Sequence, residues 1–310
     1  MPSNNLKSHL VIHAIKKHRV VKHNNIPIRV KKIIMVYQLH YTNGGIYGIG
    51  DFIRGCFCLI RMCKKLGLEF DIDLSNHPVS TYVEGHNKDV NLNYNSITKM
   101  EITYNLLETM SKSRILFVTK FTNLLKSINR EVYYTSSNSF PIFQIEPSDI
   151  EFIKSKFMPS VQMQKDIKQE MTYLNLINID FSVIHIRGGD IGLFGNTNLK
   201  HNIIINLFNK LKVLLDNNNH KYLILSDNVN LKMLFKRYVN CVFQMNPITH
   251  LGEQPVLKDN EVKNTMMDFY IMSYAKNIYS YSIYAHGSGF SKGCAILFNI
   301  PYQSYLITSN

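Results

Sequence analysis

The sequence predicts an α/β protein made of two parallel-sheet units, and three observations carry that prediction. Apolar runs of strand length alternate with segments of helical period. Glycine-rich turns stand where strand passes to helix. The 310 residues exceed what one core ordinarily holds, so two domains of about 150 residues each are expected. The boundary falls near residue 178, dividing the chain into 1–177 and 178–310.

After a basic arm (7–32), KKIIMVYQLH (31–40) is an apolar run of strand length and YTNGGIYGIG (41–50) a glycine-rich loop. DFIRGCFCLIRMCKKLG (51–67) repeats its apolar residues at helical spacing, with Asp51 placed to cap the helix and Gly67 to stop it. LEFDIDLS (68–75) is a second strand. Strand, loop, helix and strand make a βαβ unit, which builds parallel sheets with ligands at the C-terminal strand edges. The stretch 76–145 is rich in Asn, Ser, Thr and Tyr; within it RILFVTK (114–120) reads as a further strand. PSDIEFIKSKF (147–157) and PSVQMQKDIKQEMTYLNL (159–176) read as helices, Pro147 and Ser148 suiting the start of the first.

The second half repeats this grammar. Strands are expected at 181–186, 221–226 and 278–282, and helices at 199–217, 230–238, 265–277 and 290–299.

Composition narrows the function classes. With 45% hydrophobic and 18% charged residues, the chain belongs with soluble globular proteins rather than disordered ones. No apolar run approaches the roughly 20 residues of a membrane-spanning helix. The segment LVIHAI is too short for a secretory signal, is broken by His13 and has its charge on the wrong side. A soluble, cytoplasmic protein is expected. Of the five cysteines, Cys56, Cys58 and Cys63 share one predicted helix, and no Cys/His pair at zinc spacing follows. They read as reduced, packed thiols, and no metal site is expected from them.

The net charge of +13 calls for an anionic partner. The basic arm has no interleaved aromatics for stacking on bases, and RGG occurs once, at 187–189, so nucleic acid is disfavoured against a phosphorylated small molecule.

Three constellations meet that requirement. In FSVIHIRGGD (181–190) strand alternation puts His185 and Arg187 on one face at the C-terminal end, and Gly188 and Gly189 allow a tight turn before Asp190. Arginine grips phosphate oxygens with paired hydrogen bonds; the alternative is an Arg187–Asp190 ion pair that only fixes the turn. YLILSDN delivers Ser226 and Asp227 to the same edge, where Asp227 is either an acceptor for ribose or base or a cap for the helix that follows. HGSGF (286–290) leaves backbone N–H groups at a helix N-terminus, suited to pyrophosphate or simply to a tight turn.

These segments resemble a known family. FMPSVQMQKDIKQEMTYLNLINIDFSVIHIRGGD resembles the helix and strand that lead into the H-x-R-R-x-D motif of GDP-fucose-dependent fucosyltransferases, the α1,2, α1,6 and protein O-fucosyltransferase clan. YLILSDN is similar to its second motif, and MMDFYIMSYAKNIYSYSIYAHGSGFS to its third. The likeness implies a metal-independent GT-B fold, two Rossmann-like domains across a cleft, with the nucleotide held by the C-terminal one. Arg187 matches the essential arginine that stabilises the departing β-phosphate, and His185 the first motif position. Ser226 and Asp227 match the second motif, Asp227 and Asp268 acidic positions around the nucleotide, and Ser288, Gly289 and Phe290 the phosphate-side turn. The chain departs from the pattern at Gly188, where many members carry a second arginine, and it has no tryptophan.

NGGIYGIGDFIRG resembles the clan's glycine-rich first loop, which faces the donor across the cleft and would present Gly48, Gly50 and Arg54 to it. The same stretch fails as a P-loop, because Asp51 and Phe52 stand where Lys and Ser/Thr belong. It fails as a dinucleotide fingerprint because Ile53 replaces the third glycine.

The function this implies is inverting transfer of L-fucose from GDP-fucose, the donor substrate, to a hydroxyl of a glycan or protein acceptor, with no cofactor. Arg187 carries the phosphate charge, and Asp51, Asp190 or His40 takes the acceptor proton. Two alternatives stand beside it. Asp71-Ile72-Asp73 spells the D-x-D with which metal-dependent GT-A enzymes hold manganese. The missing second arginine also suits a nucleotide-sugar or glycan-binding module without turnover.

Overall fold

The computed structural model describes residues 27–37, 48–85, 98–99, 110–136, 144–188, 201–216, 219–252 and 258–307. The first sheet holds β1 (Lys32–Val36), β2 (Glu69–Asp73), β3 (Thr98–Lys99) and β4 (Val132–Ser136), in the order β2-β1-β4-β3, every pairing parallel. The second holds β5 (Phe181–Arg187), β6 (Lys221–Ser226), β7 (Cys241–Val242), β8 (Asn277–Ser282) and β9 (Tyr302–Leu306), ordered β7-β6-β5-β8-β9 and again wholly parallel. β5 is buried from Phe181 to Ile186, as expected of a central parallel strand covered on both faces.

Helix α1 (Ile49–Leu66) follows β1; Gly67 ends it in the left-handed conformation, φ 66°, with its N–H returned to the last turn. The helix starts two residues before the expected point. Gly48 is its N-cap, and Asp51 lies in the first turn instead, where a carboxylate still faces the positive end of the dipole.

One element was misread from sequence. RILFVTK (114–120) is not a strand but the interior of α2 (Met110–Ser127). Phe117, Phe121 and Leu125 recur at helical spacing and are buried, while Ile115 and Leu116 face outward at 70% and 43% exposure. The apolar run thus straddles both sides of a helix.

α3 (Pro147–Ser155) and α4 (Val161–Tyr173) lead to the second sheet, α4 capped by Ser160, whose hydroxyl accepts from Met163 N. The second half adds α5 (His201–Leu215), α6 (Val229–Leu234), α7 (Asp259–Met272) and α8 (Gly289–Phe298). α7 begins six residues ahead of its expected start.

One apolar core runs from the first sheet through α1, α3, α4, α7 and α8 to the second sheet; a smaller one fills the opposite face of the second sheet under α5 and α6. The five cysteines are buried and unpaired, and burial pushes the Cys63 thiol up to about 12. Hydrogen bonds also tie the two halves. His77 stacks on Tyr37 at 4.0 Å, accepts from Val79 N at Nδ1, and donates from Nε2 to the Leu251 carbonyl at 2.8 Å. Tyr270 OH donates to the Phe157 carbonyl at 2.9 Å.

No helix of the described residues is long and apolar enough to cross a membrane.

Candidate active site

The two halves approach closely at the N-termini of α1 and α8. A Cβ on Gly50 would stand 2.1 Å from the Gly289 carbonyl carbon and 2.5 Å from Phe290 N. Backbone meets backbone there, and only glycine permits it. Beside the crossing opens a cavity of about 560 Å³, within the range of ligand pockets. Neither helix start has a side-chain cap hydrogen bond, at Gly48 or at Ser288. Two positive dipole ends therefore adjoin one cavity, an arrangement that favours an anion.

The ends of β5 and β6 form another wall. Arg187, the last residue of β5, extends from the buried strand with 16% of its side chain exposed and donates from Nη1 to Asp227 Oδ2 at 3.1 Å. The other oxygen of Asp227 accepts from Gly188 N at 2.7 Å. This carboxylate therefore fixes the guanidinium and the turn together. It does not cap the following helix; Asn228 does so, accepting from Leu231 N at 3.2 Å. Ser226 is also used locally, its Oγ accepting from Asn228 N at 3.1 Å.

His185 lies one pleat back. Ser291 of α8 donates to Ser280 at 3.2 Å and so accepts from His185 Nδ1 at 3.1 Å, which leaves Nε2 as the acceptor of a neutral ring. Burial, reinforced by the Arg187 and Lys232 charges, pushes the imidazole down to about 3. Burial likewise holds His77 down to about 4, against the opposing effect of its bond to Leu251.

Both rings are neutral in the fold and ionise near pH 6.5 when unfolded. Their stabilisation is fully present above about pH 6.5 and is lost as pH falls through the window to about 4 and then 3, because the unfolded chain takes up protons that the folded one refuses. The expected slope inside that window is up to about 2.7 kcal/mol per pH unit for the two groups. Urea unfolding at pH 7, 6, 5 and 4.5 measures it; a flat profile would refute the assignment.

Asp268 on α7 is buried against the cavity and accepts from Gln244 Nε2 at 2.6 Å. Burial raises its carboxyl above the usual range, with the Lys232 charge and the Gln244 bond opposing.

The cavity thus gathers Asp51, His185, Arg187, Gly48, Gly50, Arg54, Ser226, Asp227, Asp268, Ser288, Gly289 and Phe290, the expected site residues that the structure describes. Asp190 and His40 lie outside the described residues. Asp71 and Asp73 do not line the cavity. Asp71 is instead held between Lys32 at 3.0 Å and Lys156 at 2.8 Å. Burial would raise its carboxyl, but those two hydrogen bonds keep it below the usual range. Asp73 accepts from Ser75 N at 2.8 Å. In this structure Asp71 is thus engaged by two lysines and Asp73 by a backbone amide, away from the cavity. Among the described residues no cluster of three or more His, Cys, Asp or Glu could hold a metal ion.

Sequence reasoning missed His250, Thr265, Tyr284 and Lys292, which also line the cavity. Lys292 alone left a trace, as the one charged residue in the apolar helix GFSKGCAILF.

Two parallel α/β sheets with a cavity where their helix N-termini meet make the GT-B architecture. No protein-family model matches the chain, and no curated protein matches it. Among solved structures it is similar to the NodZ α-1,6-fucosyltransferase co-crystallised with GDP, with TM-score 0.53 and 9% identity over 86% of this chain and 92% of that one. It is similar also to the fucosyltransferase NodZ from Bradyrhizobium, with TM-score 0.52 and 10% identity over 86% and 93%. These likenesses establish the α/β GT-B fold.

Proposed function

We propose that this protein is an inverting fucosyltransferase that moves L-fucose from GDP-fucose to a hydroxyl of a glycan or protein acceptor. Residues 178–310 would hold the nucleotide and residues 1–177 form the acceptor side. The observation that carries the reading is the meeting of Arg187, fixed by Asp227, with two helix N-termini in one cavity. NodZ, which shares the fold, has been crystallised with GDP.

As the bond from the anomeric carbon to the β-phosphate oxygen breaks, negative charge collects on the diphosphate. Arg187 and the backbone N–H groups of α1 and α8 are already oriented toward it, so they stabilise the transition state more than the ground state. The acceptor hydroxyl attacks the opposite face, forming the new carbon–oxygen bond with inversion. Its proton passes to a base, and Asp51 is the candidate among the described residues: it lines the cavity and is oriented by an ion pair to Arg54 at 3.0 Å.

Calorimetric titration with GDP, followed by a GDP-release assay on GDP-fucose with and without EDTA, tests this. GDP is expected to bind, and turnover is expected to be unchanged by EDTA. Binding without turnover would indicate a nucleotide-sugar-binding module, and absence of GDP binding would overturn the reading.

A further inference from the structure

The charges around the cavity are unevenly spent. Arg54 is paired with Asp51 and Arg187 with Asp227, while Asp268 faces the buried Lys232. Lys292 lines the same cavity from the first turn of α8 and is exposed, and its side chain has no ion pair or hydrogen bond among the described residues. A helical side chain leans toward the N-terminus of its helix, so the ammonium is directed to the end where Ser288 and Gly289 leave the backbone open. A cation at that end opposes the helix dipole. The placement is favourable only with an anion between the ammonium and the N–H groups.

We propose that Lys292 is the second phosphate-binding cation of this site and that its ligand is the terminal phosphate of a diphosphate. This rests on the nucleotide-sugar reading. Arg187 approaches from the end of β5 and Lys292 from α8, so the two cations flank the anion. As a point charge on a flexible stem, Lys292 can also follow the phosphate as the leaving group separates.

The test is calorimetric titration of the full chain with GDP, GMP and inorganic pyrophosphate, comparing wild type with Lys292→Met and Lys292→Arg. Because the residue is exposed, both variants should keep the wild-type far-UV circular dichroism and melting temperature. Loss of one charge-assisted contact predicts a roughly 10- to 50-fold weaker GDP affinity for Lys292→Met, with GMP weakened less than about threefold and Lys292→Arg restoring most of the GDP affinity. Equal weakening of GDP and GMP, or a GDP affinity within twofold of wild type, would overturn the proposal. Pyrophosphate separates it from the reading beneath it: a wild type that ignores GDP yet binds pyrophosphate through Lys292 refutes the guanine donor and keeps the lysine. A wild type that binds none of the three refutes both.

Discussion

Replacing Arg187 by lysine is expected to lower kcat/KM for GDP-fucose by roughly 10²- to 10³-fold, the effect of removing one preorganised donor from a developing oxyanion. Lysine keeps the charge but not the planar fork, so it cannot hold Asp227 and a phosphate oxygen in the same plane. Arg187→Ala should lose at least as much. It also takes one charge-assisted hydrogen bond from the Asp227 carboxylate, 5% exposed, at a cost of about 1–3 kcal/mol of stability. The lysine variant is therefore the cleaner probe, with circular dichroism as the fold control. The loss should fall in kcat more than in KM, because the contact strengthens as charge develops. A rate within tenfold of wild type would show that this guanidinium serves the turn and not the reaction.

Gly50→Ala should give the largest stability effect. The added Cβ would lie 2.1 Å from a carbonyl carbon, 2.3 Å from its oxygen and 2.5 Å from an amide nitrogen, and all three are backbone atoms that cannot rotate aside. Relief requires α1 and α8 to separate, which opens the continuous core between the sheets. A loss of roughly 3 kcal/mol is expected. Gly293→Ala is the control: one turn along α8, its Cβ would meet the Ile53 Cδ1 methyl at 3.3 Å, the end of a side chain that can yield. Urea titration should separate the two clearly. Similar midpoints would mean that the crossing is looser than described.

Both predictions depend on features that differ in how visible they are in the sequence. β5 and β6 could be read because their mostly apolar residues run up to a polar cluster, as in FSVIHIR and KYLILS. Helix α1 and its Gly67 stop were legible for the same local reason. β4 and β9, with the sequences VYYTS and YQSYL, were not. Their tyrosines, serines and glutamine give neither a buried run nor a clear alternation, and only pairing to a neighbouring strand makes them strands. RILFVTK failed in the opposite sense, its β-branched and aromatic residues hiding a helical repeat that continues to Leu125.

At the site, the residue types at the strand ends were foreseeable, but not their partners. Asp227 holds Arg187, because parallel pairing of β5 with β6 brings the ends of two distant strands together. The approach of Gly50 to Gly289 joins opposite ends of the sequence and has no local signature.

That approach also bears on motion. Two helices that pack backbone to backbone at the edge of the chamber have no side chains between them to re-pack, so parting them at this seam is costly. The floor at the two helix N-termini is thereby held in one shape. For the proposed transfer reaction, this would put the charge-stabilising groups in place before the donor arrives and lower the ordering penalty of each turnover.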